Sequence, residues 1–300
     1  MSAPSVSLHD SCVDSVPFVL PTFNGLKLTR QFLDSWKGTG SVGSELIIVN
    51  DLSTDGTREF LDGLDLPGVR VVHNAKNLGY AASCNHGASL VSGEVLCFLN
   101  NDLVLHGDWL QPMLAGLDSL PDAGVVGCVQ RNPRTGLVDH AGMYFDLDGL
   151  PRHAAHKFMN VSNDTYTEWS AVTAACFVIR KSIFDRVGGF DTSYRNGYED
   201  VDLCMRLRQQ GYRHYVANRS RIYHHVSQSP GRKLHEDRNA RTFMERWGTL
   251  TRQLGRREWP REYLRICRSR PGKIRLGKLL KALWMRLANG SPAGIRTPTS

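Results

Sequence analysis

No stretch of this chain approaches the ~20 consecutive apolar residues of a membrane-crossing helix. Residues 1–15 lack a basic segment followed by an apolar core, which argues against a secretory leader. The seven cysteines (Cys12, Cys84, Cys97, Cys128, Cys176, Cys204 and Cys267) never fall at CxxC spacing. Cys97 and Cys176 sit inside apolar runs, as small core residues do. This pattern speaks against a disulfide scaffold and for a reducing cytosol. The glycosylation-type triplets at Asn160, Asn163 and Asn218 then carry no meaning as glycan sites. A P-loop, an HExxH zinc helix and a nucleophile elbow are also missing. Gly38–Gly43 spells GxGxxG letter for letter. A dinucleotide loop follows a strand and opens a helix, whereas this one follows a helical stretch and precedes a strand. It reads as a flexible connection.

Most of the chain also lacks basic charge. The net charge is +8, yet Arg252 to Leu287 alone holds twelve Lys/Arg against Glu258 and Glu262, a balance of +10. The remainder sits at −2, which speaks against a nucleic-acid-binding core. Its 300 residues, 41% hydrophobic and 22% charged, suffice for one large α/β domain with an extension or for two small domains. The expected division is a flexible N-terminus at 1–15, one domain at 16–250, a basic helical extension at 251–288 and a disordered Gly/Pro/Ser/Thr-rich tail at 289–300.

Four apolar segments, Val16–Leu20, Glu45–Asn50, Val69–His73 and Val95–Asn100, alternate with stretches of helical spacing. Each runs into Asn, Asp or Gly: Asn24-Gly25, Asn50-Asp51, Asn77-Leu78-Gly79 and Asn100-Asn101-Asp102. The alternation predicts a doubly wound, mostly parallel α/β sheet with a ligand crevice along its carboxyl edge. An acid there can hold a hard divalent cation; a plain polar turn is the simpler alternative for Asn100–Asp102. Further on, Ala123–Gln130 and Ala171–Arg180 read as strands, 131–168 as a hairpin and long loop, and Tyr212–Ala217 and Arg221–Tyr223 as two short strands. Asn239, Phe243 and Trp247 form a helical stripe. His140, His153 and His156 have no carboxylate at ligand spacing and read as solvated or packing residues.

The segment Gly197–Leu207 opens a helix with three acids. Asp202 and Arg206 are spaced for an i,i+4 ion pair. That pair does not require Glu199 and Asp200, and a carboxylate at a loop–helix junction suits a general base.

Taken in order, PTFNG (21–25), NDLSTDGT (50–57), LNND (99–102), GGFDTSYRNGYEDVDLCMRLRQQGYR (188–213) and YHHVSQS (223–229) resemble the motifs of family 2 glycosyltransferases, which have the GT-A fold. The likeness spans about residues 16–250. It is greatest to bacterial members that build O-antigens and other surface polysaccharides, rhamnosyltransferase-like ones included. The resemblance implies inverting transfer from a nucleoside-diphosphate sugar to a glycan or lipid-linked hydroxyl, with Mg2+ or Mn2+ as cofactor. Asp102 matches the last acid of the metal motif, and His224, with His225 as its neighbour and rival, matches the family histidine. Asp200 matches the base, with Glu199 second. Pro21, Thr22, Asn24, Asp51, Asp55, Asn77, Gly79, Asn100 and Asn101 are implied to line the nucleotide-sugar site. For Asp55 a helix N-cap before Gly56-Thr57 is an equal alternative. There are two departures: Asn100 opens the metal motif in place of Asp, and Asn50 replaces the usual acid. In many members the last acid alone contacts the metal.

Two rivals stand beside this reading. A sugar nucleotidyltransferase needs a glycine-rich loop after its first strand, where this chain has PTFNG. A non-catalytic scaffold is favoured by Asn100 and opposed by Glu199-Asp200. In the tail, Leu276, Leu279, Leu280, Leu283, Trp284 and Leu287 form a helical stripe beside Lys273, Arg275, Lys278, Lys281 and Arg286. Such a helix can lie on an anionic membrane or pack on protein. The expected location is therefore the cytoplasm, with peripheral attachment at the inner face of the plasma membrane as one option.

Overall fold

The computed structural model describes residues 16–39, 44–155, 164–225, 235–269 and 271–288. Gly40 and Gly43 of the GxGxxG stretch, His156, Asn160, Asn163, Ser229, both chain ends and the Lys273 side chain lie outside that description. The first half is parallel. Strands β1 (Phe18–Thr22), β2 (Leu46–Asn50), β3 (Val69–His73) and β4 (Val95–Leu99) lie in the order 3-2-1-4. Helices α1 (Leu26–Lys37), α2 (Thr57–Asp62) and α3 (Tyr80–Ser89) connect them. β1 and β2 are buried along their whole length, which is why they read as continuous apolar runs. β1 runs to Thr22, two residues past the expected end. Pro21 and Thr22 stay in register with Val49 and Asn50. Proline fits there because β4 pairs only with Phe18 and Val19, so the missing N–H breaks no ladder bond on that side.

The second half is mixed. After the two-residue β5 (Leu103–Val104) and α4 (Gln111–Ser119) come β6 (Ala123–Arg131), β7 (Val138–His140), β8 (Met143–Phe145), β9 (Pro151–His153) and β10 (Tyr166–Trp169). Then follow β11 (Cys176–Arg180), α5 (Lys181–Arg186), α6 (Glu199–Gln209) and β12 (Arg213–His224). β11 enters between β4 and β6, antiparallel to both. It is shorter than the expected strand, since Ala171 instead bridges to Met143 and the chain turns before Cys176. The two short strands expected at 212–223 are one, β12, parallel to β6. A register shift between Ala217 and Arg221 takes up the polar residues, with the Asn218 amide donating to Asp164 O and Thr167 Oγ1 at 2.8 Å each.

Helices cover both faces. One core centres on Phe98, with Phe190 at 5.1 Å and Phe177 at 5.5 Å between ring centroids. The other holds Phe18 edge-on to Trp36 at 4.6 Å. The last part of the chain is helical: α7 (Glu236–Ser269), a 3-10 turn (Pro271–Lys273) and α8 (Leu276–Ala288). Asn239, Phe243 and Trp247 are buried, as their stripe implied. α7 runs unbroken through residue 250, where a boundary was expected, and its middle seals the β8–β9 hairpin. Glu258 accepts the Phe145 N–H at 2.9 Å and the Ser170 hydroxyl; burial pushes its carboxyl up despite both bonds. Gly255 lies so close that an added Cβ would sit 1.9 Å from the Asp146 carbonyl oxygen.

Gly255→Ala should therefore lift α7 off the hairpin and destabilise by about 1–3 kcal/mol in urea unfolding. Gly277→Ala in α8, where an added Cβ meets nothing within 4 Å, should stabilise by about 0.5–1 kcal/mol. Equal stability of the two variants would refute this packing.

Candidate active site

Four loops leave the carboxyl edge of the sheet, and backbone strain gathers there. Among the described residues the non-glycine positions with positive φ are Asn24 (56°), Leu52 (64°), Asn196 (55°) and Tyr198 (74°). The first two lie in the loops after β1 and β2, the last two at the entrance of α6. Such strain persists where the surroundings over-determine it, which is characteristic of binding sites.

Two acids build this edge. Asp51 Oδ1 accepts the Asn74 amide and the Leu78 N–H, and Oδ2 the Gly79 N–H, all at 2.8 Å. The Asn77 amide donates to Asp51 O at 3.0 Å, and Asn77 Oδ1 accepts Arg195 Nη2 at 2.8 Å. Asp55 bridges two helix starts. Its Oδ2 accepts the N–H groups of Gly25 and Leu26 at the head of α1, at 2.6 and 3.1 Å. Its Oδ1 accepts the Thr57 hydroxyl at 2.6 Å and the Thr57 N–H at 3.2 Å. What burial Asp55 has raises its carboxyl, but these hydrogen bonds outweigh that and leave it below the usual range. Its capping role is thus met twice, on α1 and on α2. Asn24 Oδ1 accepts the Thr54 N–H at 2.7 Å, locking the two loops together. Asn50 is tied to Ser53 and His73.

At the end of β4, the Asn101 amide donates to Thr29 Oγ1 and Asn24 O. Asp102 points elsewhere. β5 pairs with the end of β12, setting Leu103 against His224. His224 Nε2 lies 3.1 Å from Asp102 Oδ1, with both side chains about one-tenth exposed. Behind it, His224 Nδ1 contacts Gln130 Oε1 at 2.7 Å. An amide oxygen only accepts, so with this amide orientation a ring proton sits on Nδ1 and Nε2 faces Asp102. At 3.1 Å the two atoms share either a proton or a cation. Asp102 Oδ1, Asn100 Oδ1 and Thr22 Oγ1 are all buried without a hydrogen-bond partner among the described residues. That departs from the rule that buried polar atoms are paired. Asp102 and His224 are in contact and can supply one carboxylate oxygen and one imidazole nitrogen to a divalent cation; among the described residues no third His, Cys, Asp or Glu joins them.

Gln130 was absent from the sequence-derived candidates. It closes an apolar strand with a polar residue, the same signal that singled out Asn100–Asp102. His140 was expected to be a solvated or packing residue, and it is not solvated. It pairs across the ladder with Gln130, is buried, and meets His153 Nδ1 to Nδ1 at 2.8 Å. Burial first, then the neighbouring His153 and His224, hold it well below the ordinary imidazole value.

The second carboxylate cluster opens α6. Asp200 Oδ2 accepts the Ala174 N–H at 3.2 Å and Oδ1 the Val201 N–H at 2.8 Å. Glu199, largely buried, accepts the Gly197 N–H at 2.6 Å. Asp202 is structural, as its spacing implied. It bonds Arg206 at 2.7 Å, Trp247 Nε1 at 2.8 Å and Arg246 at 2.9 Å. The next residue, Ala175, accepts the Asn100 N–H at 2.9 Å. One dipeptide therefore fastens Asp200 on one side and the Asn100–Asp102 turn on the other.

Residues 18–188 match the model of glycosyl transferase family 2. The chain belongs to that family. An uncharacterized protein, y4gI, of Sinorhizobium fredii is 33% identical over 78% of this chain, which spans 28% of that protein. The O-antigen biosynthesis protein RfbC of Myxococcus xanthus is 35% identical over 50% of this chain and 12% of its own length. The N-acetylglucosaminyl-diphospho-decaprenol L-rhamnosyltransferase of Mycobacterium tuberculosis is 25% identical over 73% of this chain and 78% of that one. This family 2 chain thus spans well under half of the first two relatives. Among solved structures, the mannosyltransferase PcManGT of Pyrobaculum calidifontis, in complex with GDP-Man and Mn2+, has a TM-score of 0.57 at 17% identity. It covers 93% of this chain and 81% of its own. That likeness carries the fold, which is GT-A with a C-terminal helical extension.

If Asp102 and His224 hold the cation, Asp102→Ala should abolish Mn2+ binding measured by calorimetry without donor. Gln130→Leu, which frees the His224 ring, should weaken it roughly 10–100-fold. Unchanged Mn2+ affinity in both variants would remove the site.

Proposed function

We propose that this chain is a metal-dependent inverting glycosyltransferase of surface polysaccharide synthesis. It moves a sugar from a nucleoside diphosphate to a hydroxyl of a glycan or lipid-linked acceptor. The observation that carries the reading is the pairing of Asp200 with Ala174 and of Asn100 with Ala175. It sets a helix-start carboxylate beside the turn that bears Asp102.

Asp200 takes the proton of the acceptor hydroxyl as its oxygen attacks the anomeric carbon. The bond from that carbon to the diphosphate breaks, and the nucleoside diphosphate departs. Glu199 secures the strained entrance of α6 through Gly197 and is the second candidate for the base. Asp102 and His224 hold Mg2+ or Mn2+. When bound, the cation offsets negative charge developing on the leaving diphosphate. The nucleoside lies against Pro21, Thr22, Asn24 and the Asn77–Gly79 loop, whose shape Asp51 and Asp55 maintain. Asn100 and Asn101 border the sugar and diphosphate.

The rhamnosyltransferase name of the Mycobacterium tuberculosis relative supports nucleotide-activated rhamnose as the first donor to test, with a polyprenol-linked acceptor. A cytosolic site of action is supported by the six described cysteines, which are all free thiols. No described helix is long and apolar enough to cross a membrane.

A panel of nucleotide sugars, assayed for transfer and hydrolysis, tests the proposal. Asp200→Asn should lower turnover ~10²–10⁴-fold with donor affinity nearly unchanged. Normal turnover in that variant would move the base to Glu199. Failure of the wild type to bind or turn over any donor would favour the scaffold reading.

A further inference from the structure

The α7–α8 hairpin presents a surface that the transfer reaction does not use. Its geometry is anchored: the Tyr263 hydroxyl accepts the Arg275 N–H at 3.0 Å and donates to the Arg275 carbonyl at 3.3 Å. α8 packs inward through Ala282 and Met285, which are buried. Five of its large apolar side chains point the other way, and Leu279 is half-buried. Leu276 is 69% exposed, Leu280 59%, Leu283 44%, Trp284 69% and Leu287 84%. At 3.6 residues per turn these five fall within an arc of roughly 100°, opposite the packed side. Five of the six residues of the stripe expected from the sequence therefore share one face, which points away from the protein, and Leu279 does not join them. Solvent alone does not account for five large apolar side chains on one helix face.

The charge beside this face selects the partner. Residues 263–288 contain eight Lys/Arg and no acid. Arg275, Lys278, Lys281 and Arg286 are exposed. By helical spacing Arg286 lies towards one edge of the apolar arc and Lys281 towards the other. Between the two helices a cavity of about 190 Å³ is lined by Arg261, Leu264, Arg265, Arg268 and Arg286. Arg265 is paired with Glu262 at 3.0 Å, and the guanidinium groups of Arg261, Arg268 and Arg286 beside it match phosphate oxygens. A second copy docked on this face would set like charges together.

We propose that the outer face of α8 lies on an anionic phospholipid bilayer. The leucines and Trp284 enter the interface, and the flanking cations and the arginine cavity meet lipid phosphates. The patch lies apart from Asp102 and Asp200, so this reading does not depend on the transfer reaction.

Vesicle co-sedimentation of the full chain tests it. Phosphatidylglycerol-containing vesicles should bind the protein at low salt, at least ten-fold more tightly than pure phosphatidylcholine vesicles, and release it at high salt. The double variant Leu280→Asp/Trp284→Asp should bind at least ten-fold more weakly with an unchanged circular dichroism spectrum. These positions are exposed, so folding does not depend on them. Arg268→Glu/Arg286→Glu should erase the preference for the anionic lipid. No binding to anionic vesicles at low salt would overturn the proposal. So would wild-type binding by the Leu280/Trp284 variant, which would reduce the surface to a charge effect. Loss of a dimer in that variant, seen by sedimentation velocity without vesicle binding by the wild type, would assign the face to a second copy and likewise overturn it.

Discussion

The candidate site depends on the reversal of β11. Every other strand that bears a site loop points its carboxyl end to one edge of the sheet. β11 runs against β4 and β6, so its amino end arrives at that same edge. The residues leading into it, Ala174 and Ala175, become a main-chain hub. Ala175 O accepts from Asn100, Ala174 N–H donates to Asp200, and Ala174 O accepts the Tyr80 hydroxyl at 2.8 Å. Backbone groups are obligatory hydrogen-bonding partners. A turn that meets them with groups from α3, β4 and α6 fixes all three elements together. Alanine leaves room for that convergence.

Around this hub the acids divide into two kinds. Asp51, Asp55 and Asp202 direct their oxygens at backbone N–H groups, arginines and an indole. They hold loops and helices in position. Asp102 keeps a buried oxygen without a hydrogen-bond partner, opposite an imidazole whose other nitrogen is already engaged. Leaving such groups unpaired costs stability, and the rest of the fold sustains it. Backbone strain and three of the buried unpaired polar atoms, on Thr22, Asn100 and Asp102, thus lie at one edge of the sheet, while His214 Nδ1 and Trp169 Nε1 lie elsewhere.

The C-terminal helices join the two surfaces of interest. α7 begins against Arg195 and Gly197, where Asn239 bonds both carbonyls at 2.9 Å, next to the entrance of α6. It then closes the β8–β9 hairpin through Gly255 and Glu258, and ends in the basic hairpin with α8. One continuous helix therefore links the entrance of α6, where Asp200 lies, to the hairpin that bears the exposed apolar face.

The order of strands and helices was written in local pattern. Buried parallel strands read as apolar runs, and Asn, Asp or Gly marked where each met the crevice. Short-range spacing also determined Asp202 with Arg206, and the stripe of α8. Tertiary structure alone decided the reversal of β11, because an apolar run looks the same in either direction. It alone decided that Asp55 serves two helices 30 residues apart and that Gln130 orients His224 across 94 residues. It also decided which side of α8 is buried. These are choices of long-range partner, made by hydrogen-bond geometry and packing, and they leave no period in the sequence.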